Sequence, residues 1–150
     1  MEIRLRDIKV LRENRMGIAC IIDDDPIQAL LLERMLHKQQ LCNRLYIFKN
    51  GQEAFDHLKS LVSTPEQFPD VILLDINMPV MDGWGFLEEF KNMRPHIGKK
   101  ILLYMISSSI WQEDIERAKS YSEVTDYIVK PVTMDELSQL MSKAKYVMSG

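Results

Sequence analysis

Residues 17–26 read GIACIIDDDP, an apolar run of strand length, then three consecutive acids, then a proline. The run is nearly continuously apolar rather than alternating, which is the pattern of a strand covered on both faces. Asp25-Pro26-Ile27-Gln28 follows it with a capping side chain, a proline suited to a first helical turn and a Gln three residues after the cap. A buried strand, an acidic turn and a helix start therefore follow one another without a linker.

The same order repeats outward along the chain. Apolar runs at 45–48, 71–74, 101–106 and 127–129 have strand length and β-rich composition. Between them lie stretches of helical spacing. Ile27, Leu30, Leu31 and Met35 share one helical face, as do Ala54, Phe55, Leu58 and Leu61. Met134, Leu137, Met141, Ala144 and Met148 make a third such face, and residues 84–90 and 113–121 complete the helices less distinctly. Asn50-Gly51-Gln52-Glu53 and Thr133-Met134-Asp135-Glu136 repeat the cap signal. Five strands alternating with helices predict an α/β domain, a doubly wound five-stranded parallel sheet with helices on both faces. Residues 62–69, VSTPEQFP, read as a surface loop.

The 150 residues suffice for one domain, and 46% hydrophobic with 27% charged residues is an ordinary globular composition. Nineteen basic against 22 acidic residues give a net charge of −3, so no basic field makes nucleic acid a direct partner. The longest apolar runs fall far short of the roughly 18 residues of a membrane span. Charges interrupt the opening stretch, which lacks the apolar core of a secretory signal, and a cytoplasmic location is expected. Cys20 and Cys42 are too few for a disulfide framework, and the ten methionines are scattered as core fillers. Residues 1–16 stand apart as an N-terminal extension with a basic excess and no assigned role; Met16 as the natural start is the lesser reading.

In open α/β sheets, ligands bind beyond the carboxyl ends of the strands. The residues following the runs are Asp23, Asp24 and Asp25, then Asp75 in LLDINMP, then Ser107, Ser108 and Ser109, then Lys130 before Pro131. Asp25 is better read as a helix cap than as part of a site. Crowded carboxylates need a neutralising cation, and Asp23, Asp24 and Asp75 make an all-oxygen set suited to Mg²⁺. The three histidines, His37, His57 and His96, form no ligand spacing with the cysteines and read as surface residues. A carboxylate is also a nucleophile toward phosphorus when cations, here Mg²⁺ and Lys130, offset the charge on the transferring group.

Four segments, IIDDDP, LLDINMPVMDGWGFL, ISSS and DYIVKP, together resemble the receiver domain of two-component response regulators, a likeness covering 17–148. The resemblance implies that Asp75 is the phosphoacceptor. By the same likeness Asp24 and Asp75 ligate Mg²⁺ directly, Asp23 acts through water, and the main-chain carbonyl of Asn77 completes the protein ligands. Lys130 would pair with the phosphate, and Ser107 and Tyr127 would switch: Ser107 toward the phosphoryl group, Tyr127 inward. Their movement would alter the surface of the fourth helix, fifth strand and fifth helix. Strand order 2-1-3-4-5 and a cis Lys130-Pro131 peptide are implied as well. Gly85 departs from the larger residue usual there. Core packing is the plainer reading of a strand tyrosine, and Trp111 is read equally as exposed or as partly covered by the fourth helix.

The function so implied is a phosphorylation-controlled signalling module, charged by a histidine kinase or phosphotransfer protein. It would assist its own phosphorylation and dephosphorylation without being a metabolic enzyme. Only Ser149 and Gly150 follow residue 148, so the expectation is a stand-alone regulator of chemotaxis type acting on a downstream protein target. The cognate kinase, that target and phosphorylation-dependent dimerisation stay open. A Mg²⁺-dependent aspartyl-nucleophile phosphatase of haloacid-dehalogenase type is the alternative. Its nucleophile belongs after the first strand with a second Asp two residues on, whereas position 77 is Asn. A phosphorylation-independent interaction module is the third reading, disfavoured by the complete set of acids, hydroxyl and lysine.

Overall fold

The computed structural model describes residues 16–149; of the extension read at residues 1–16, residues 1–15 lie outside them and Met16 opens the first strand. Strands β1 (Met16–Ile22), β2 (Cys42–Phe48), β3 (Val71–Leu74), β4 (Leu102–Ser107) and β5 (Val124–Val129) form one parallel sheet in the order β2-β1-β3-β4-β5. Helices α1 (Pro26–Lys38), α2 (Gly51–Lys59), α3 (Gly83–Met93), α4 (Gln112–Lys119) and α5 (Met134–Ser149) connect and follow them. This is the fold class and strand order expected. The outer strands β2 and β5 are longer than their apolar runs because each is an edge, where polar residues such as Asn43, Arg44, Thr125 and Asp126 are exposed.

Alternation along the strands splits the core in two. Cys20, Ile22, Ile72, Leu74, Leu103 and Met105 pack with Leu58 of α2, Leu87 and Phe90 of α3 and Ala118 of α4. Ala19, Ile21, Val71, Leu73 and Ile106 face Leu32 and Leu36 of α1 and Leu137, Met141 and Ala144 of α5. β3 is buried at every position, so the sheet's centre is dry on both sides.

The expected face of α1 is corrected. The buried residues are Ala29, Leu32 and Leu36, whereas Ile27, Leu30 and Leu31 are exposed. Leucines 30–32 offer two apolar stripes, and the one carrying Ala29, Leu32 and Leu36 packs against Ile21 and Leu73 of the sheet. Residues 62–69 are likewise more than a surface loop: they hold a 3-10 turn at Pro65–Gln67, and Phe68 is fully buried. The Asn50 and Thr133 caps form as read, and Thr133 and Glu136 exchange hydrogen bonds in a capping box. Met134 of the expected α5 face is half-buried, and the side chain of Met148 lies outside the described ones.

Candidate functional site

The strand order reverses between β1 and β3, so a crevice opens between their carboxyl ends. The ladder extends one residue past the strands there. Asp23 N–H bonds to the Phe48 carbonyl (3.0 Å), Asp75 N–H to Ile22 (2.9 Å) and Lys130 N–H to Ser107 (2.8 Å). The backbone of each polar residue is thereby held by the sheet rather than left to a loop.

The side chains converge. Asp23, Asp24 and Asp75 each offer a carboxylate oxygen, and these oxygens lie within 4.8 Å of one another. Lys130 Nζ donates to Asp23 Oδ2 at 2.8 Å and sits 3.4 Å from Asp75 Oδ1. Asp23 and Asp75 are buried and Asp24 is exposed. The other Asp23 oxygen accepts the Asp25 N–H at 2.9 Å, so both Asp23 oxygens already have partners. Asn77 is exposed in the segment after β3.

Electrostatics follow from the count of three acids to one base. Burial first, and then the charge of Asp23, push the Asp75 carboxyl up to about 6 against the pull of Lys130. Burial works against charge on Lys130, yet its hydrogen bond to Asp23 and the charges of Asp75 and Asp23 raise its pKa above the ordinary value. Hard oxygen donors, no sulfur or imidazole among them, and a surplus of negative charge fit a divalent cation such as Mg²⁺.

Ser107 is fully buried at the end of β4, and its Oγ accepts the Ser109 N–H at 3.1 Å. Tyr127 is half-buried, and its hydroxyl donates to the Ser109 carbonyl at 2.9 Å, tying β5 to the turn before α4. Trp111, left with two readings above, is exposed. The peptide Lys130-Pro131 is cis.

Sequence reasoning gave no supporting role to Gly83, Val80 or Ser109. A β-carbon at Gly83 would collide with the Asp75 carbonyl, so the first turn of α3 rests directly on the backbone of the central acid. Val80 holds a left-handed backbone (φ 69°) while 85% exposed, a strained geometry for a β-branched residue. Ser109 Oγ donates to Asp114 Oδ2 at 2.6 Å and accepts the Trp111 N–H at 3.3 Å, standing in for a cap that Trp111 lacks.

The family model of the response regulator receiver domain matches residues 19–142. The chain belongs to the response regulator receiver family. Among curated relatives, a probable methanogenesis regulatory protein, FilR2, from Methanothrix harundinacea is 25% identical over 136 residues, covering 91% of this chain and 86% of that protein. The DNA-binding transcriptional regulator NtrC of Klebsiella pneumoniae is 35% identical over 131 residues, covering 85% of this chain but only 24% of that protein. A solved two-component response regulator from Cytophaga hutchinsonii superposes with a TM-score of 0.78 at 27% identity, over 87% of this chain and 97% of that one. Receiver domains accept phosphoryl groups in two-component signalling, interact with histidine kinases or phosphotransfer proteins, and bind Mg²⁺ at an acidic pocket. This receiver domain has the acidic cluster. Among its described residues, no helix is long and apolar enough to cross a membrane.

Proposed function

We propose that the domain takes a phosphoryl group from a histidine kinase or phosphotransfer protein onto Asp75, and that the gain of charge is read out by a protein target. The convergence of Asp23, Asp24, Asp75 and Lys130 in one crevice carries this reading. Asp24, Asp75 and the Asn77 carbonyl would hold Mg²⁺ directly. Asp23 would act through water, which fits the occupation of both its oxygens by Lys130 and the Asp25 N–H. When bound, Mg²⁺ supplies positive charge opposite the phosphoryl oxygens.

An Asp75 oxygen forms the new P–O bond as the donor's P–N bond breaks, with the electron pair leaving on the imidazole nitrogen. Lys130 neutralises charge on the transferred group, and the Ser107 hydroxyl turns its proton toward a phosphoryl oxygen. Hydrolysis, by water attack at phosphorus, returns Asp75 and releases inorganic phosphate. Ser109 links the two switch residues, since its N–H bonds Ser107 and its carbonyl accepts from Tyr127. A turn of Ser107 toward a phosphoryl group would thus be felt at Tyr127 and on the surface of α4, β5 and α5.

Ile27, Val80, Ile110 and Trp111 are 67–85% exposed, and each follows one of the strand ends that supply the crevice. An apolar rim around a polar pit suits a macromolecular donor that shuts out water on docking. The buried Cys20 thiol fits a cytoplasmic setting. The test is the intact mass after treatment with acetyl phosphate and Mg²⁺. One phosphoryl adduct is expected on the wild type and none on Asp75→Ala. An undiminished adduct on the variant, or none on the wild type, overturns the assignment.

A further inference from the structure

The ladder between β4 and β5 slips at one place. Leu103 pairs with Val124 but Tyr104 pairs with Asp126, so Thr125 is an extra residue on the edge strand, a bulge. Thr125 Oγ1 accepts the Leu103 N–H at 3.3 Å. The slip reverses the alternation of the strand. Val124 and Tyr127, three residues apart, both pack on the side of α3 and α4, while Ile128 faces α5. Asp126 is set beside Tyr104 by the same change of parity.

Tyr104, Asp126 and Ile128 line a cavity of about 240 Å³ between the edge strand and α5, with Ile128 and Leu140 as its apolar walls. Glu136, Gln139 and Lys143 of α5 line it too. Tyr104 is only 2% exposed, and among the described residues its hydroxyl is the one buried side-chain polar atom with no hydrogen-bond partner. A phenylalanine would fill that space without stranding a polar group, so the hydroxyl adds nothing to folding. Burial, and then the Asp126 carboxylate, push the phenol above its ordinary pKa and keep it protonated.

We infer that this cavity is a binding site for a single arginine side chain of a partner protein. It is smaller than the roughly 300–1,000 Å³ of pockets that hold drug-sized ligands, which fits one side chain. Apolar walls suit the methylenes of an arginine. The acceptors, Tyr104 Oη, the Asp126 and Glu136 carboxylates and the Gln139 amide oxygen, are spread over a strand pair and a helix. A flat guanidinium with five donors spans such a spread, whereas a lysine ammonium is a point. Two carboxylates against the single ammonium of Lys143 leave the lining net negative, which admits a cation and disfavours an anion. β5 is the sheet edge, so no further strand among the described residues covers the approach. The site lies on the β5 and α5 part of the surface named above but shares no residue with the crevice, so its test does not depend on phosphoryl transfer.

Titration of the isotope-labelled protein with N-acetyl-arginine amide, followed by amide chemical shifts, tests it. Saturable shifts are expected at Tyr104, Asp126, Ile128 and Gln139, with the neutral isostere N-acetyl-citrulline amide binding about tenfold more weakly. Tyr104→Phe, which keeps the ring, and Asp126→Asn, at an exposed position, should each weaken arginine binding severalfold. No saturable shift, equal binding of the two amides, or wild-type affinity in both variants overturns the proposal.

Discussion

Two aspartate–lysine pairs sit at opposite edges of the same sheet. At the amino edge, Asp70 Oδ1 meets Lys99 Nζ at 2.8 Å while Oδ2 accepts the Ile18 N–H at 2.8 Å, and Lys99 also donates to the Phe68 carbonyl. A β-carbon at Gly17 would run into Asp70 Oδ2, so the packing is closed around the acid. One acid meets one base, and every partner is internal. At the carboxyl edge, Lys130 meets Asp23 and Asp75 with Asp24 alongside, and burial, then the charge of Asp23, hold Asp75 at about 6. The residue types are the same. The ratio of acid to base separates a clamp from a site that still needs a cation.

The largest expected effect belongs to the carboxyl edge. Lys130→Ala should slow phosphorylation by acetyl phosphate about 10²–10³-fold, the usual loss for one preorganised electrostatic contact. Lys99→Ala should leave that rate unchanged, and a comparable loss there, measured by stopped-flow fluorescence of the native tryptophans, breaks the comparison. Stability should respond the other way. Lys99→Ala strands the Asp70 charge and should cost about 2 kcal/mol in urea unfolding, less than the roughly 3–5 of a fully buried pair because about a fifth of each side chain is exposed.

Asp75 should act on stability with the opposite sign. Its folded pKa of about 6 lies above the ordinary 3.8, so the folded protein holds the proton more tightly than the unfolded chain. Stability is then full below the unfolded value and is lost as pH rises through the folded one. Asp75→Asn should therefore stabilise the metal-free protein by about 1–2 kcal/mol at pH 7, with little difference left at pH 4. Equal unfolding midpoints at pH 7, or a variant less stable than wild type, would show that Lys130 outweighs burial. The smallest effect is at Val80. Val80→Gly relieves the left-handed backbone at some entropic cost and should stabilise by about 0.5–1 kcal/mol, read from the thermal midpoint. A destabilised variant would mean that the Val80 side chain is held by contacts outweighing its backbone strain.

The carboxyl edge was largely legible because each of its polar residues directly follows an apolar run, and strand length and position are local properties. The amino-edge clamp was not: Asp70 and Lys99 meet only once β3 and β4 are side by side. The buried stripe of α1 is ambiguous in the sequence because three consecutive leucines satisfy either rotation, and only packing on the sheet decides between them. Phe68 was lost in a polar loop, and the bulge at Thr125 leaves no periodic trace in a strand of six residues. Tyr104 read as one more apolar position in the run 101–106. Its unpartnered hydroxyl depends on α5 packing over it.

The most direct measurement is an amide-resolved titration with Mg²⁺, followed by beryllofluoride as a phosphoryl mimic. Saturable shifts are expected at residues 23–25 and 75–77 on adding the metal, then at Ser107, Ser109, Tyr127 and Lys130 on adding the mimic, with Ile18, Asp70 and Lys99 unmoved. Silence at Asp24 and Asp75, or equal shifts at both edges of the sheet, would contradict the assignment of the surplus-acid edge as the phosphoryl-accepting one.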